Sequence, residues 1–501
     1  MSVKSKHSLK KTSTTMTEDQ YTLATKTLNG RLFVPYQCDG VRWMLGMEGQ
    51  ESGPKGGFLC DEMGLGKTVQ LVATMLGNSK PRTLIIVPKS IITQWVEEIN
   101  RFAPNLTINI FDGPERKMKE ADITIAPYTL LTVKGAESGA PTPLHHVKWG
   151  RVILDEAHEI RNKSSKLFKS VYRLKTEIKW IVTGTPVFNS MEDFVSLCMF
   201  LGLSKSSAQG MTKQIKDIYI LRRTKDDLAK INERLKLPPC HFENVELDMF
   251  PEEKSLYECV FLEAQDTIKE AFKHVQSLNS KNMIILECLL RARQCMIWPQ
   301  MYLNGVAAKN EDKPTKWEGR SNKMETLLRM IGEHPDEKSL VFCQFRGEMN
   351  HIQRQLAGVC PVFRIDGSVA KEERVKQIAG FKKIQGGAVF IIQIKSGGQG
   401  LNLQEATRVY ITGPSWNPAT ELQAIGRSHR TGQGQVVHVK KLVYKECAQF
   451  VSVEQEMMAL QGHKSIVCSE VLNDERVKTQ IPVNRTTDKI SILDIKNIFR
   501  A

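Results

Sequence analysis

"GGFLCDEMGLGKTVQLVATML", residues 56–76, runs from an apolar strand pattern through a glycine-bearing turn into an apolar helix pattern. That strand-loop-helix order is what a phosphate-binding loop requires. The spelling is irregular, because G-x-x-x-x-G-K-[ST] wants glycine at position 61 and this chain has Asp61. The remaining letters still suit a cradle. Gly64 and Gly66 permit close backbone approach to phosphate oxygens, and the helix start aims N–H groups at the anion. Lys67 can reach β- and γ-phosphates, and Thr68 can hold Mg²⁺. A plain strand-to-helix connection is the alternative, so a second, independent part is needed.

It comes at "RVILDEAH", where a buried-type strand ends in Asp155 and Glu156. Open parallel sheets bind ligands at the carboxyl ends of their strands, so these two carboxylates stand where a ligand is expected. Asp155 suits Mg²⁺ through its water shell, and Glu156 suits orienting and deprotonating a water that attacks a γ-phosphate. Loop and carboxylates together point to a P-loop hydrolase.

The surrounding rhythm supports an α/β fold. "GGFLC", "TLIIV", "LTINIF", "DITIAP", "RVILD" and "WIVTG" are short Val/Ile-rich runs separated by longer helical stretches, the signal of β-α-β units around a parallel sheet. A second set, "SLVFCQF", "VFRIDG", "AVFIIQI", "RVYITG" and "VHVKKLVY", predicts a second α/β half. Two such halves of 31–200 and 238–450 are expected, with a cleft between them. Residues 1–30 read as a flexible basic arm, and 201–237 as a helical insertion and hinge ended by "LPP". Within the second half, 251–298 reads as a helical insertion and 302–322 as a polar linker; 451–501 reads as a helical, then polar, tail.

In the second half, "ELQAIGRSHRTGQ" puts Gln423, Arg427 and Arg430 at i, i+4 and i+7, one face of a helix if the segment is helical. Arginines so placed could stabilise charge developing on a γ-phosphate. "KSGGQGLNLQEA" follows a strand with three glycines in four residues, giving backbone N–H groups suited to phosphate.

Composition narrows the partners. The 501 residues carry 70 Lys and Arg against 55 Asp and Glu, a net +15 that favours an acidic polymer. The 11 cysteines include no C-x-x-C pair, which supports neither a zinc site nor a disulfide framework and suggests a reducing compartment. The apolar runs are far shorter than a bilayer requires and no signal-peptide pattern opens the chain, so a soluble protein without a membrane partner is expected.

Taken in order, "PYQCDGVRWM", "DEMGLGKT", "LIIVPKSIITQW", "DEAHEIRN", "TGTPVFN", "LRRTK", "LVFCQF", "GGQGLNL" and "SWNPATELQAIGRSHRTGQ" resemble the Swi/Snf family of superfamily 2 helicase-like ATPases, over roughly residues 31–460. The Asp-Glu-Met opening of the loop is a spelling of that family. The branch of repair and transcription-release translocases is the most similar, although it often carries a RING finger for which this chain has no cysteine pattern. Gly426 is a departure, since the family more often has aspartate there, and wider superfamily members use glycine.

The resemblance implies two RecA-like doubly wound parallel-sheet lobes with helical insertions. It implies that Gln37 reads adenine and that Asp61, Glu62, Met63, Gly64, Leu65, Gly66, Lys67, Thr68 and Gly400 border ATP. Thr68 and Asp155 would hold Mg²⁺, with Lys67, Asp155, Glu156, Gln423, Arg427 and Arg430 catalytic. Lys89, Ser90, Thr183, Gly184, Gln344, Lys395, Ser396, Gly397 and Trp416 would face the DNA backbone without reading bases. A translocase on double-stranded DNA is implied, displacing chromatin, polymerase or repair proteins in the nucleus or another DNA-containing compartment. A strand-separating DNA or RNA helicase and a non-hydrolysing scaffold are the alternatives.

Overall fold

The computed structural model describes residues 13–132, 141–184, 191–230, 236–397, 401–430, 432–446, 451–472 and 496–499. Two compact units divide in sequence between Lys236 and Leu237. Among the described residues no helix is long and apolar enough to cross a membrane.

The first unit is a seven-stranded sheet of β1 (Lys55–Leu59), β2 (Thr83–Val87), β3 (Ile108–Ile110), β4 (Ile123–Pro127), β5 (Lys148–Asp155), β6 (Lys175–Val182) and β7 (Ile220–Leu221). Its spatial order is β3-β4-β2-β5-β6-β1-β7, and every pairing is parallel. Parallel strands with helices on both faces are buried on both faces, which is why they read as unbroken apolar runs rather than alternations. Leu84, Ile85, Ile86 and Val87 of β2 are all fully buried.

Register matters most for function. Leu59 pairs with Val182 and with Leu221, and Val182 pairs with Asp155. These four residues end their strands in one row, so the loops that follow leave a single edge of the sheet.

An ion pair sits inside this unit. Arg151 of β5 donates from Nε and Nη2 to the two oxygens of Glu48, each at 2.6 Å, and both side chains are almost wholly buried. Trp180 Nε1 and Asn78 Nδ2 complete the carboxylate's partners at 2.8 and 2.6 Å. Glu48 ends the helix Tyr36–Glu48, so the pair fixes that helix against the sheet.

The second unit is a six-stranded parallel sheet of β8 (Cys240–Leu247), β9 (Lys338–Cys343), β10 (Val362–Ile365), β11 (Ala388–Gln393), β12 (Arg408–Ile411) and β13 (Val437–Tyr444), ordered β10-β11-β9-β12-β13-β8. Alternate residues feed two cores: Leu340, Phe342, Phe390 and Ile392 pack on one face, Val341, Cys343, Val389 and Ile391 on the other. The inserted helices Pro251–His274 and Leu278–Ile297 join the second core through Tyr257, Phe261, Ile268, Ile285 and Leu289.

Four expectations are corrected. Within the arm expected to be flexible, Ser13–Thr27 is a helix that buries Ala24, with Leu28 buried just after it, and pairs Glu18 with Arg42 at 2.8 Å; its few apolar residues escaped a periodicity reading. In the segment expected to be helical, Ile220–Leu221 is instead a strand, because its backbone pairs with Phe58 and Leu59. The linker expected over 302–322 begins as the helix Pro299–Asn310. β8 was missed, since an edge strand with most side chains exposed shows no apolar alternation.

Replacing Arg151 with Met should destabilise the first unit by ~3–5 kcal/mol, because Glu48 would remain buried without its counter-charge. Urea unfolding followed by tryptophan fluorescence checks this; an unchanged midpoint would refute it.

Candidate active site

The phosphate loop leaves β1 at Cys60 and turns into the helix Lys67–Gly77. Gly64 and Gly66 both hold positive φ, 91° and 73°, a region open to glycine at little cost. A Cβ on Gly66 would also collide with the Gln37 amide. Lys67 Nζ rests on the backbone carbonyl oxygens of Asp61, at 2.8 Å, and Glu62, at 3.4 Å. Thr68 is half-buried in the first turn of the same helix.

Asp155 ends β5, two strands away from β1 in the same row, with β6 between them. Trp95 Nε1 donates to its Oδ2 at 2.8 Å, the Glu156 N–H donates to Oδ1 at 2.9 Å, and the Tyr128 hydroxyl donates to its backbone carbonyl at 2.9 Å. Burial pushes the Asp155 carboxyl up to about 6, the charge of Glu156 adds to that, and the Trp95 bond and the Lys67 ammonium oppose it. Lys67 and Asp155 therefore act on one another electrostatically, as parts of one site must. Glu156 carries φ 50°, a left-handed backbone that costs a non-glycine residue about 1 kcal/mol or more and recurs at functional positions. Its carboxylate lies 3.4 Å from His158 Nδ1.

These residues fit a magnesium triphosphate. The cradle has no room for a side chain at Gly66, an ammonium stands on the loop, and a desolvated aspartate sits beside a second carboxylate, a donor set of the kind that suits a divalent cation.

Three expected nucleotide contacts have partners within the chain. Asp61 is fully buried and is gripped by Arg223, whose Nε reaches Oδ1 at 2.9 Å and whose Nη2 pairs with Oδ2; Gln70 Nε2 adds 3.2 Å. Glu62 accepts from the Lys225 N–H at 2.9 Å and pairs with its ammonium at 3.2 Å. Both carboxylates thus bind the "LRRTK" segment. Gln37 is also committed: Oε1 accepts from Phe33 N–H at 2.9 Å and Nε2 donates to the Leu65 carbonyl at 3.2 Å, steadying the loop. Met63 and Leu65 stay on the loop, half-buried and buried.

In the second unit, Gln423 lies on the helix Pro418–Ile425, which Asn417 caps by accepting from the Ala419 N–H at 2.9 Å. The helix stops there, so the expected shared helical face is wrong for Arg427 and Arg430. Their segment folds into turns because the Arg427 carbonyl accepts from Leu403 N–H at 3.0 Å, Ser428 Oγ donates to Ala406, and His429 Nε2 meets the Pro238 carbonyl at 2.8 Å. Arg427 is buried, and Arg430 Nη1 reaches the Leu401 carbonyl at 3.4 Å.

The expected nucleic-acid contacts divide. Lys89, Ser90 and Lys395 are exposed, Lys89 pairing with Asp112 at 3.2 Å. Thr183 is buried. The Gly184 carbonyl accepts from Arg222 at 3.2 Å. Gln344 spends its amide on the Gly413 carbonyl and Ser415 Oγ, each at 3.1 Å, and Trp416 packs on the core. Ser396 and Gly397 fall in the turn of helix Ile394–Gly397, and Gly400 lies outside the described residues.

With the geometry established, relatives give it a family. A model of the SNF2-related domain matches residues 36–216, and one of the helicase conserved C-terminal domain matches 322–432. The chain belongs to the Swi/Snf family of helicase-like ATPases. YwqA of Bacillus subtilis, whose name assigns it provisionally to the ATP-dependent helicases and translocases, is 30% identical over 483 residues, covering 89% of this chain and 49% of YwqA. The human helicase-like transcription factor is 27% identical, covering 77% of this chain and 50% of its own. A Sulfolobus solfataricus SWI2/SNF2 ATPase core in complex with dsDNA shares 28% identity over 90% of this chain and 95% of that one, with a TM-score of 0.39. The chain spans about half the length of the curated relatives named here.

Sequence reading missed Trp95 and Tyr128, which orient Asp155, and the pairing of Arg223 and Lys225 with Asp61 and Glu62. Trp95 and the "LRRTK" arginines stood in family-like runs, but nothing in the letters tied them to Asp155 or Asp61.

With a chelator present, Asp155→Asn should stabilise the chain relative to the native form at pH 8 and not at pH 3. Asp155 has a folded pKa raised from 3.8 to about 6, so the cost of its ionised form sets in as pH rises above 3.8, is complete above about 6, and is absent only below 3.8. Thermal melts at both pH values check this; a variant less stable at pH 8 would refute it.

Proposed function

We propose that this chain hydrolyses Mg-ATP in response to double-stranded DNA and moves along the duplex without separating its strands. The observation that carries the reading is the row Leu59–Val182–Asp155, which sends the phosphate loop and both acidic residues out of one sheet edge. Lys67 holds the β- and γ-phosphates, Thr68 and Asp155 hold the ion, and Glu156 orients and deprotonates the attacking water. Magnesium, when bound, neutralises charge building up on the phosphates. Gln423, Arg427 and Arg430 of the second unit supply donors and positive charge to the γ-phosphate in the transition state.

Lys89, Ser90 and Lys395 are the exposed donors suited to DNA phosphates, and the net +15 favours such a polymer. Contacts of this kind carry no base preference, which suits movement along any sequence. Proteins displaced from DNA, among them chromatin, polymerase or repair factors, are the partners this activity implies, in a DNA-containing compartment. The yeast ISWI chromatin-remodeling complex ATPase ISW1, 26% identical over 95% of this chain, is one relative whose name concerns chromatin.

Glu156→Gln should bind ATP within about threefold of the native chain and lose at least ~100-fold in DNA-stimulated turnover, the range over which general bases act. Comparing duplex DNA, single-stranded DNA and RNA as activators separates a duplex translocase from a strand-separating helicase. Displacement of a triplex strand only with hydrolysable ATP would support movement; unchanged turnover in the variant would overturn the site.

A further inference from the structure

The irregular opening of the phosphate loop has a use that nucleotide binding does not explain. After β7, residues 222–229 run along the loop, shortly before the division at Lys236 and Leu237. Four of their side chains fasten them there. Arg222 Nη1 donates to the Cys60 carbonyl at 2.9 Å and the Gly184 carbonyl at 3.2 Å. Arg223 grips Asp61, the Tyr36 carbonyl and Gln70 Oε1. Lys225 pairs with Glu62. The short helix Lys225–Ala229, opened by a reciprocal Thr224–Asp227 cap, puts Leu228 against Tyr36 and Leu65.

Lys67 adds the moving part. Its ammonium donates to the backbone carbonyls of Asp61 and Glu62, the two residues whose carboxylates hold Arg223 and Lys225. Two of its three N–H donors are taken by those carbonyls, so an ammonium that reaches oxygens of both the β- and γ-phosphates gives up at least one of them. The change is delivered to residues 61 and 62, and through their side chains to 222–229.

We propose that residues 222–229 are a nucleotide-sensing strut: occupancy of the phosphate loop sets the position of the chain leaving the first unit, with Arg223 and Lys225 as positioning residues. The inference rests on the ATPase reading above. It gives Asp61 and Glu62 a mechanical role where other phosphate loops carry small residues. A ligand biases such an element only through contacts that differ between the two states, and the Lys67 carbonyl bonds are those contacts.

The test uses the Glu62–Lys225 pair in the full chain, whose glutamate is partly exposed and whose lysine is buried, since removing Arg223 would leave Asp61, which is fully buried, without its counter-charge. Lys225→Glu should keep DNA-independent turnover and ATP KM within threefold and lose at least tenfold of DNA-stimulated turnover. The reversed pair, Glu62→Lys with Lys225→Glu, should recover to within threefold of the native chain. Hydrogen exchange should slow across 222–230 on adding a non-hydrolysable ATP analogue in the native chain and not in Lys225→Glu. Full DNA stimulation in Lys225→Glu, a rise in its ATP KM matching any loss, or no recovery in the reversed pair would each overturn the strut. A native chain that hydrolyses no ATP with duplex DNA would instead overturn the function on which it rests. If Lys225→Glu is misfolded by circular dichroism, Lys225→Met carries the same expectations.

Discussion

Strand register in the first sheet is the constraint on which the rest of the molecule depends. Leu221, Leu59, Val182 and Asp155 share one row across four neighbouring strands. A slip of one residue in β5 would turn Asp155 from the site toward the opposite face, because side chains alternate along a strand. The register is held by burial on both faces and, midway along β5, by Arg151 fixed to Glu48. Chemistry at the carboxyl edge and an ion pair in the interior thereby belong to one strand.

Charge is distributed in this unit with a consistent logic. Buried carboxylates meant for structure are saturated: Glu48 has an arginine, a tryptophan and an asparagine, and Asp61 has an arginine and a glutamine. Asp155 is different, having neutral donors and a neighbouring carboxylate that raises its proton affinity. Burying an acid without a cation is unfavourable. The site tolerates it because Trp95 and Tyr128 hold that acid in place, and the left-handed Glu156 backbone beside it is a second local cost of the same kind.

Much of this was legible in the sequence. Apolar runs of four to six residues marked the interior strands because parallel strands need to hide both faces, and the motif letters located Lys67, Asp155 and Glu156. What stayed hidden depended on tertiary partners. Asp61 and Glu62 read as nucleotide contacts, and nothing in the letters tied them to Arg223 and Lys225, some 160 positions away. Arg427 and Arg430 fitted helical spacing, but a carbonyl bond from Leu403 and the turn around Ser428 ended the helix first. The strand β7, only two residues long, exists through its neighbour β1 and has no periodicity of its own.

Gly77, at the far end of the phosphate-loop helix, is where Ser13–Thr27 comes closest; a side chain there would run into the Gln20 carbonyl and the Ala24 methyl. The segment that looks like a dispensable leader is in fact the rear wall of that helix. Trimming the polypeptide to the motif-bearing region would strip this wall, baring apolar surface directly behind the residues that cradle phosphate. Boundaries drawn from motifs alone would therefore cut inside the folded body, and any expression variant of this protein should begin ahead of Ser13.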